Sequence, residues 1–218
     1  MKNILIMGAT GMIGGQCLKY CLENPDVAKV TIIVRKTTGL HHPKLTEIIH
    51  HDFYDFTNIA DYLKNQDICL YCIGVYTGQV NKEEFSKITV DMTKTFALSL
   101  KMQSPQVAFC FLSGSGADEK EKSPILFARE KGKAENILKK LNFVRLHIFR
   151  PGYIYPVMPR KEPNFSYKLM RLLYKPLISK LGNKFSVTSE QLAEAMVKVG
   201  LFGTDKTILE NQDICILP

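Results

Sequence analysis

The segment "FAREKGK", residues 127 to 133, places an aromatic residue four positions before a lysine. On a helix, side chains four positions apart share one face, so Phe127 and Lys131 are expected to be neighbours. An ammonium group can donate hydrogen bonds and exchange a proton, whereas a phenylalanine ring has no hydroxyl and transfers no proton. The spacing therefore predicts half of an acid–base pair, and simple packing of a helix face is the alternative for Phe127.

A second chemical pattern is the loop "GATGMIGG", which follows an apolar strand at once and opens a helical segment. Glycines at these spacings permit a tight turn, a close approach of backbone to a pyrophosphate and close packing of helix on strand. The first helical N–H groups then face the phosphates. The pattern predicts a dinucleotide site, the alternative being a purely structural turn. The predicted contacts are Gly8, Thr10, Gly11, Met12, Ile13 and Gly14.

Residues after the second and third strands bear on which dinucleotide binds. Sites for NAD usually place an acid at the end of the second strand, but this chain has Arg35 and Lys36 there. A guanidinium holds a 2′-phosphate well, so NADP is predicted over NAD, with unliganded surface charges as the alternative. Asp52 and Phe53 are predicted beside the adenine, although an acid after a strand is also a common turn residue.

The order of elements that must position these residues is read from apolar runs and helical periodicity. Alternating strands and helices predict an α/β fold with a doubly wound parallel sheet. The predicted strands are residues 3 to 7, 29 to 34, 46 to 50, 68 to 72, 107 to 112, 144 to 149 and 207 to 210. The predicted helices are residues 12 to 23, 57 to 64, 82 to 102, 125 to 141 and 189 to 201.

Proline punctuates the chain after Pro151. We interpret residues 1 to 218 as a single dinucleotide-binding domain, in which residues 151 to 218 form a small C-terminal extension on the substrate side. The basic stretch from 159 to 184 favours core-packed short helices with solvated lysines; an amphipathic surface for anionic membrane or nucleic acid is the alternative.

Composition indicates an ordinary globular protein, with 45% hydrophobic and 23% charged residues and a formal net charge of +8. No stretch approaches the roughly 18 apolar residues of a membrane span. The start of the chain leaves no room for a signal peptide, so a cytoplasmic location is expected. The cysteines, including Cys69 and Cys72 in "ICLYC", are predicted to be buried and reduced, and no metal site is predicted.

Several motifs together resemble the atypical short-chain dehydrogenases. These are "GATGMIG", the "RK" after strand two, "YCIG", "FLSGSGAD" and "FRPG". "LSGSGAD", the "KG" at 131 and 132 and the late "LEN" resemble the Tat-interacting-protein-like branch more closely. The resemblance spans nearly the whole chain and implies an extended-type Rossmann fold with NADP at the carboxyl ends of the strands.

The resemblance also assigns roles. It implies that Ser113 is the catalytic serine and that Lys131 binds the nicotinamide ribose. It places Cys72, Ile73 and Gly74 beside the ribose and Pro151, Gly152, Tyr153 and Ile154 beside the carboxamide. It allows a homodimer through the helices at 82 to 102 and 125 to 141.

The chain departs from the family pattern at 127, where the catalytic tyrosine is replaced by Phe127. Tyr76, Tyr153 and Tyr155 are the candidate substitutes, and pocket lining is the simpler role for each. The leading hypothesis is an NADP-dependent oxidoreductase for an unknown small carbonyl or alcohol, without the usual proton donor. A non-catalytic NADP sensor is the alternative, and we expect no nucleic-acid partner.

Overall fold

A computed structural model describes residues 1 to 76, 78 to 157 and 185 to 217. Its main sheet has seven strands in the order β3-β2-β1-β4-β5-β6-β9, and every neighbouring pair is parallel. The strands are β1 (Lys2–Met7), β2 (Val27–Val34), β3 (Leu45–Ile49), β4 (Ile68–Tyr71), β5 (Ala108–Leu112), β6 (Arg145–Arg150) and β9 (Ile208–Glu210). A smaller parallel pair joins β7 (Tyr153–Tyr155) to β8 (Ser186–Thr188).

Helices connect the parallel strands, as a parallel sheet requires. The described α-helices are α1 (Met12–Glu23), α2 (Lys82–Ser86), α3 (Met92–Gln103), α4 (Leu126–Lys140), α5 (Ser189–Phe202) and α6 (Asn211–Ile216). A 3₁₀ helix covers Thr57–Leu63, and a π-helical turn at Lys87–Asp91 links α2 to α3. The predicted single helix at 82 to 102 is thus interrupted by a π turn, and the predicted helix at 57 to 64 is a 3₁₀ helix.

Two apolar layers cover the sheet. One layer contains Cys17 of α1 and Met196 of α5, and the other contains Phe96 of α3 and Leu138 of α4. The strands between them are almost entirely buried, which explains why their sequences are continuously apolar instead of alternating.

The chain order reverses between β1 and β4. From β1 the chain proceeds outward to β2 and β3, and then returns to the other side of β1 to build β4, β5 and β6. Such a switch point leaves a crevice at the carboxyl ends of the strands, which is where ligands bind in open α/β sheets. The doubly wound parallel sheet predicted from the sequence is confirmed.

Strand β9 joins the C-terminal part of the chain to the main sheet by pairing with β6. Within residues 151 to 218, the Gly152 amide donates to the Asn211 side chain at 2.8 Å. Helix α5 begins with a capping box in which Thr188 and Gln191 satisfy each other's backbone amides. The basic segment at 159 to 184 lies entirely outside the described residues.

The cysteines differ in exposure. Cys17, Cys21, Cys69 and Cys110 are buried and free, as predicted. Cys72 is free and only partly buried, because it lies just beyond the end of β4 and not within the strand.

Candidate functional site

A cleft of about 580 Å³ opens at the switch point, above the carboxyl ends of β1, β4 and β5. The segments that follow β1, β4, β5 and β6 form its walls together with α4. The lining consists of Gly11, Met12, Ile13, Cys72, Ile73, Gly74, Val75, Tyr76, Leu112, Ser113, Gly114, Ser115, Phe127, Lys131, Pro151, Gly152, Tyr153 and Ile154. The cleft therefore gathers predicted residues from five separate parts of the sequence.

The glycine loop forms one wall through its backbone. Gly8 has φ of +81°, a conformation that side chains strongly disfavour, and a Cβ there would lie 2.9 Å from the Cys72 carbonyl carbon. A Cβ on Gly14 would lie only 2.2 Å from the Gly8 oxygen, so α1 packs directly on the loop. Both glycines are required because the backbone approaches them so closely. A Cβ on Gly11 would lie 3.2 Å from the same Gly8 oxygen, and Gly11 borders the cleft. A glycine loop of this shape lets the backbone approach a pyrophosphate closely.

The predicted adenine-side residues lie beyond the cleft lining. Arg35 and Lys36 follow the end of β2 and are exposed, and Asp52 is exposed after β3. Phe53 is buried and packs against His50 and Phe56. Among the loop residues, Thr10 borders a neighbouring pocket of about 490 Å³ instead of the main cleft.

Lys131 is a nearly buried cation on the opposite wall, with 6% of its surface exposed. Its Nζ donates to the Leu112 carbonyl at 2.9 Å and lies 4.8 Å from the centre of the Phe111 ring. Burial lowers the pKa of Lys131 to about 8, although the Glu135 carboxylate acts in the opposite direction. The amine is therefore close to its titration range at neutral pH.

Phe127 lies one turn before Lys131 and lines the same cleft, as the four-residue spacing predicts. The tip of its ring sits against Gly114, where an added Cβ would be 2.5 Å from Cζ. The ring presents only carbon to the cleft, so position 127 offers no proton donor.

Ser113 is directed toward a buried ion pair behind the cleft. Its hydroxyl donates to Glu135 Oε1 at 2.5 Å, and Glu135 in turn accepts from Arg150 Nε at 3.0 Å and from Arg150 Nη2 at 2.5 Å. Glu135 is fully buried, whereas the other two carboxylates on Arg150, Glu119 and Glu210, are about half exposed. Because a hydroxyl has one proton, Ser113 in this arrangement presents lone pairs to the cleft.

The three tyrosines that could substitute for a tyrosine at position 127 lie in different places relative to the cleft. Tyr76 and Tyr153 line the cleft, while Tyr155 is partly buried and lies outside the lining. Two of the three phenols considered from the sequence are thus near the place where a proton donor would act.

The sequence interpretation did not include the Glu135–Arg150 pair. One signal was present, since Glu135 follows Lys131 by four positions and Phe127 by eight, which places all three on one helical face. Its partner was not visible, because Arg150 comes from the end of β6 on a different element. Leu112, Gly114, Ser115 and Val75 also line the cleft and were not predicted.

Metal-binding clusters are absent from the described ranges, 1 to 76, 78 to 157 and 185 to 217. Within them, no three or more His, Cys, Asp or Glu side chains are grouped so as to hold a metal ion. Nor is any helix there long and apolar enough to cross a membrane.

Comparison with known proteins identifies the family. The model of the NAD dependent epimerase/dehydratase family matches residues 4 to 137, which is more than half of the chain. The chain belongs to this family. The matched segment runs from β1 to α4 and so contains the glycine loop, Ser113 and Lys131.

Two relatives resemble this family member along nearly its whole length. Protein HTATIP2 of Rattus norvegicus is 26% identical over 218 residues, which cover 98% of this chain and 88% of the relative. Protein fmp52, mitochondrial, of Emericella nidulans is 27% identical over 210 residues, covering 92% and 88%. The resemblance to the Tat-interacting-protein-like branch of the atypical short-chain dehydrogenases is confirmed.

Solved structures share the fold at low sequence identity. The Bordetella bronchiseptica enzyme WbmH in complex with NAD+ is 16% identical with a TM-score of 0.69, covering 96% of this chain and 75% of that one. The UDP-N-acetylglucosamine 4-epimerase from Methanobrevibacter ruminantium M1 is 19% identical with a TM-score of 0.71, covering 96% and 76%. These likenesses confirm the Rossmann-type fold.

Proposed function

We propose that this family member is an NADP-dependent oxidoreductase that acts on an unidentified small carbonyl or alcohol compound without a tyrosine at the usual catalytic position. The observation that carries the proposal is the cleft itself, which brings the glycine loop, Ser113 and Lys131 around one volume at the switch point. When bound there, the nicotinamide would supply or accept the hydride.

The glycine loop is the part of the site that fits a dinucleotide best. Gly8 and Gly14 leave no space for side chains, and Gly11 borders the cleft. The Lys131 amine lines the opposite wall, and we expect it to donate to the ribose hydroxyls. The segment from Pro151 to Ile154 borders the same volume and would pass beside the carboxamide.

Charge at the end of β2 supports NADP over NAD. Arg35 and Lys36 are exposed and directly follow the strand, so a 2′-phosphate could meet both cations there. In an NAD site an acid usually occupies this position and would repel the phosphate. Asp52 and Phe53 remain the proposed adenine contacts.

A second candidate, a non-catalytic NADP sensor, is favoured by two side chains. Phe127 offers no proton, and the Ser113 hydroxyl donates to Glu135 instead of toward the cleft. A site that keeps its cofactor wall and lacks a proton donor can bind the cofactor and change conformation with it. The sensor predicts that NADP changes the affinity of a partner.

Cofactor titration tests the proposal. NADPH is titrated with wild type and with Arg35→Glu while its fluorescence is measured, and NADH is titrated in the same way for comparison. Loss of a charge-assisted phosphate contact, worth about 1.5–3 kcal/mol, should weaken NADPH binding by roughly tenfold to a hundredfold and leave NADH nearly unchanged. If wild type binds neither nucleotide, the proposed function is wrong.

Turnover separates the enzyme from the sensor. Wild type and Phe127→Tyr are assayed for NADPH oxidation with a panel of aldehydes and ketones. A restored phenol should raise the rate by about two to four orders of magnitude if only the proton donor is missing. NADPH binding by both proteins, with no turnover by either, would favour the sensor.

Three further expectations accompany the proposal. Residues 151 to 218 would form the substrate side of one domain, and a homodimer would use the helices at 82 to 102 and 125 to 141. The cytoplasmic location stays a prediction, since the matched fungal relatives are named as mitochondrial proteins.

A further inference from the structure

Lys131 differs from the other buried charges near the cleft in having no counterion among the described residues. Within residues 1 to 76, 78 to 157 and 185 to 217, Lys131 takes part in no ion pair, and its Nζ donates to the neutral Leu112 carbonyl. The nearest carboxylate along its own helix, Glu135, is already engaged by Arg150 and Ser113. The protonated amine is therefore poorly compensated.

The groups that face Lys131 come from three elements. Glu135 on α4 and Cys72 beyond β4 act on its charge, and the end of β5 supplies the Leu112 carbonyl and the Phe111 ring. The Glu135 carboxylate favours protonation, but desolvation outweighs it and the pKa of Lys131 falls to about 8. A buried lysine of this kind has a sizeable uncharged fraction near neutral pH.

The lone pair of such an amine is available only if no nearby hydrogen-bond donor occupies it. A tyrosine at 127 would have placed a hydroxyl one turn away on the same face, whereas Phe127 places an apolar ring there. Lys131 also lines the 580 Å³ cleft, so a small molecule in the cleft can reach it.

We propose that Lys131 is a carbonyl-reactive amine that forms imines with small apolar aldehydes entering the cleft. The Nζ lone pair attacks the aldehyde carbon, the oxygen leaves as water with two protons from the nitrogen adduct, and a C=N bond remains. Desolvated lysines in apolar pockets are the ones that proteins use for this chemistry. The aldehyde class follows from the walls, where Ile73, Phe127 and Ile154 offer apolar surface.

Benzaldehyde with cyanoborohydride tests the proposal on the full-length protein, because the reductant delivers hydride to the imine carbon and fixes the adduct. Peptide mapping then gives the labelling rate of each lysine without any mutation. At pH 7 an amine of pKa about 8 is roughly one tenth uncharged, which is over a hundredfold more than an ordinary lysine. Allowing for restricted access, we expect Lys131 to be labelled about tenfold or more faster than Lys133.

Lys133 is the matched control, since it lies two residues away on α4, is 36% exposed along its side chain and pairs with Glu130 at 3.0 Å. Lys131→Met should remove the fast site and Lys133→Arg should not. Labelling of Lys131 no faster than Lys133 overturns the proposal. The exposed α-amino group of Met1 maps to a different peptide and does not confuse the comparison.

The inference goes beyond the proposed function and fails separately from it. If the wild-type protein binds NADPH but Lys131 is not labelled preferentially, the proposed function stands and the reactive amine is excluded. If Lys131 is labelled fast but the protein does not bind NADPH, the reactive amine stands and the proposed function is excluded. In a protein that does both, NADPH should slow the labelling of Lys131, and unchanged labelling would overturn the placement of this amine in the cofactor cleft.

Discussion

The cleft has two walls of different material. The glycine-loop wall, residues 8 to 14, is shaped by backbone and by the absence of side chains at Gly8 and Gly14. The α4 wall, formed by Phe127 and Lys131 with Ser113 beside them, is shaped by side-chain charge and hydrogen bonding. An added atom on the first wall disturbs its backbone packing. On the second wall, a change of a single functional group alters which protons the wall can donate, even when the fold is unaltered.

The largest expected effect concerns the ion pair behind the α4 wall. Glu135→Ala removes the fully buried partner of Arg150 and the acceptor of Ser113. Breaking a buried pair typically costs 3–5 kcal/mol. Because Glu119 and Glu210 still neutralise part of the Arg150 charge, we expect a loss of about 3 kcal/mol in the free energy of unfolding, measured by urea denaturation.

Glu119→Ala is the control for this prediction. Glu119 also pairs with Arg150, at 3.0 Å, but half of its side chain is exposed. Exposed pairs contribute about 0–1 kcal/mol, so this variant should unfold nearly like wild type. Equal losses for the two variants would contradict the view that buried charge organises the α4 wall.

The difference between the walls also explains what the sequence could reveal. The glycine loop is a local pattern, so strand, turn and helix were predictable within a few residues of one another. The helical face containing Phe127 and Lys131 was predictable for the same reason. The role of Ser113 was harder, because its hydrogen-bond partner Glu135 is 22 residues away and depends on how α4 packs against β5.

Other elements could not be predicted from the sequence for a related reason. The three-residue strands β7 and β8 depend on pairing between Tyr153 and Ser186, which are far apart in sequence. The π turn at Lys87–Asp91 adds one residue to a helical turn, and such an insertion is hard to distinguish from ordinary irregularity in the apolar pattern. Local sequence patterns determine helices and longer strands, whereas the partners of charged side chains and the pairing of short strands depend on tertiary contacts.

An intermediate effect is expected on the glycine-loop wall. Gly14→Ala puts a methyl group 2.2 Å from the Gly8 carbonyl oxygen, a backbone atom that cannot rotate away. Overpacking of this kind costs about 1–3 kcal/mol, against a gain of up to about 1 kcal/mol in helix propensity. We expect a net loss of about 1–2 kcal/mol in unfolding free energy, together with weaker NADPH binding in a fluorescence titration.

Gly74→Ala is the matched glycine variant for stability. Gly74 also lines the cleft, but nothing lies within 4 Å of the position of an added Cβ. Its unfolding free energy should stay within about 0.5 kcal/mol of wild type. If Gly14→Ala unfolds like Gly74→Ala, the loop is not held by close backbone approach.

An effect of similar size but opposite sign is expected at Lys131. The amine is charged in the folded protein below pH 8 and is poorly compensated there, so Lys131→Met should stabilise the protein by roughly 1–2 kcal/mol at pH 7. The folded pKa lies below the ordinary value of about 10.4. Between those two pH values the unfolded chain binds the proton more readily, so wild type gains stability as pH rises and the advantage of the variant shrinks.

Urea denaturation of wild type and Lys131→Met at pH 7 and pH 9.5 measures this difference. Lys133→Met serves as the control, because its side chain is partly exposed and paired with Glu130, and its removal should not stabilise the protein at either pH. A Lys131→Met variant less stable than wild type at pH 7 would show that the cation is compensated after all. Stabilisation that fades toward pH 9.5 would instead mean that the α4 wall keeps a lysine at the expense of folding, as a site selected for chemistry does.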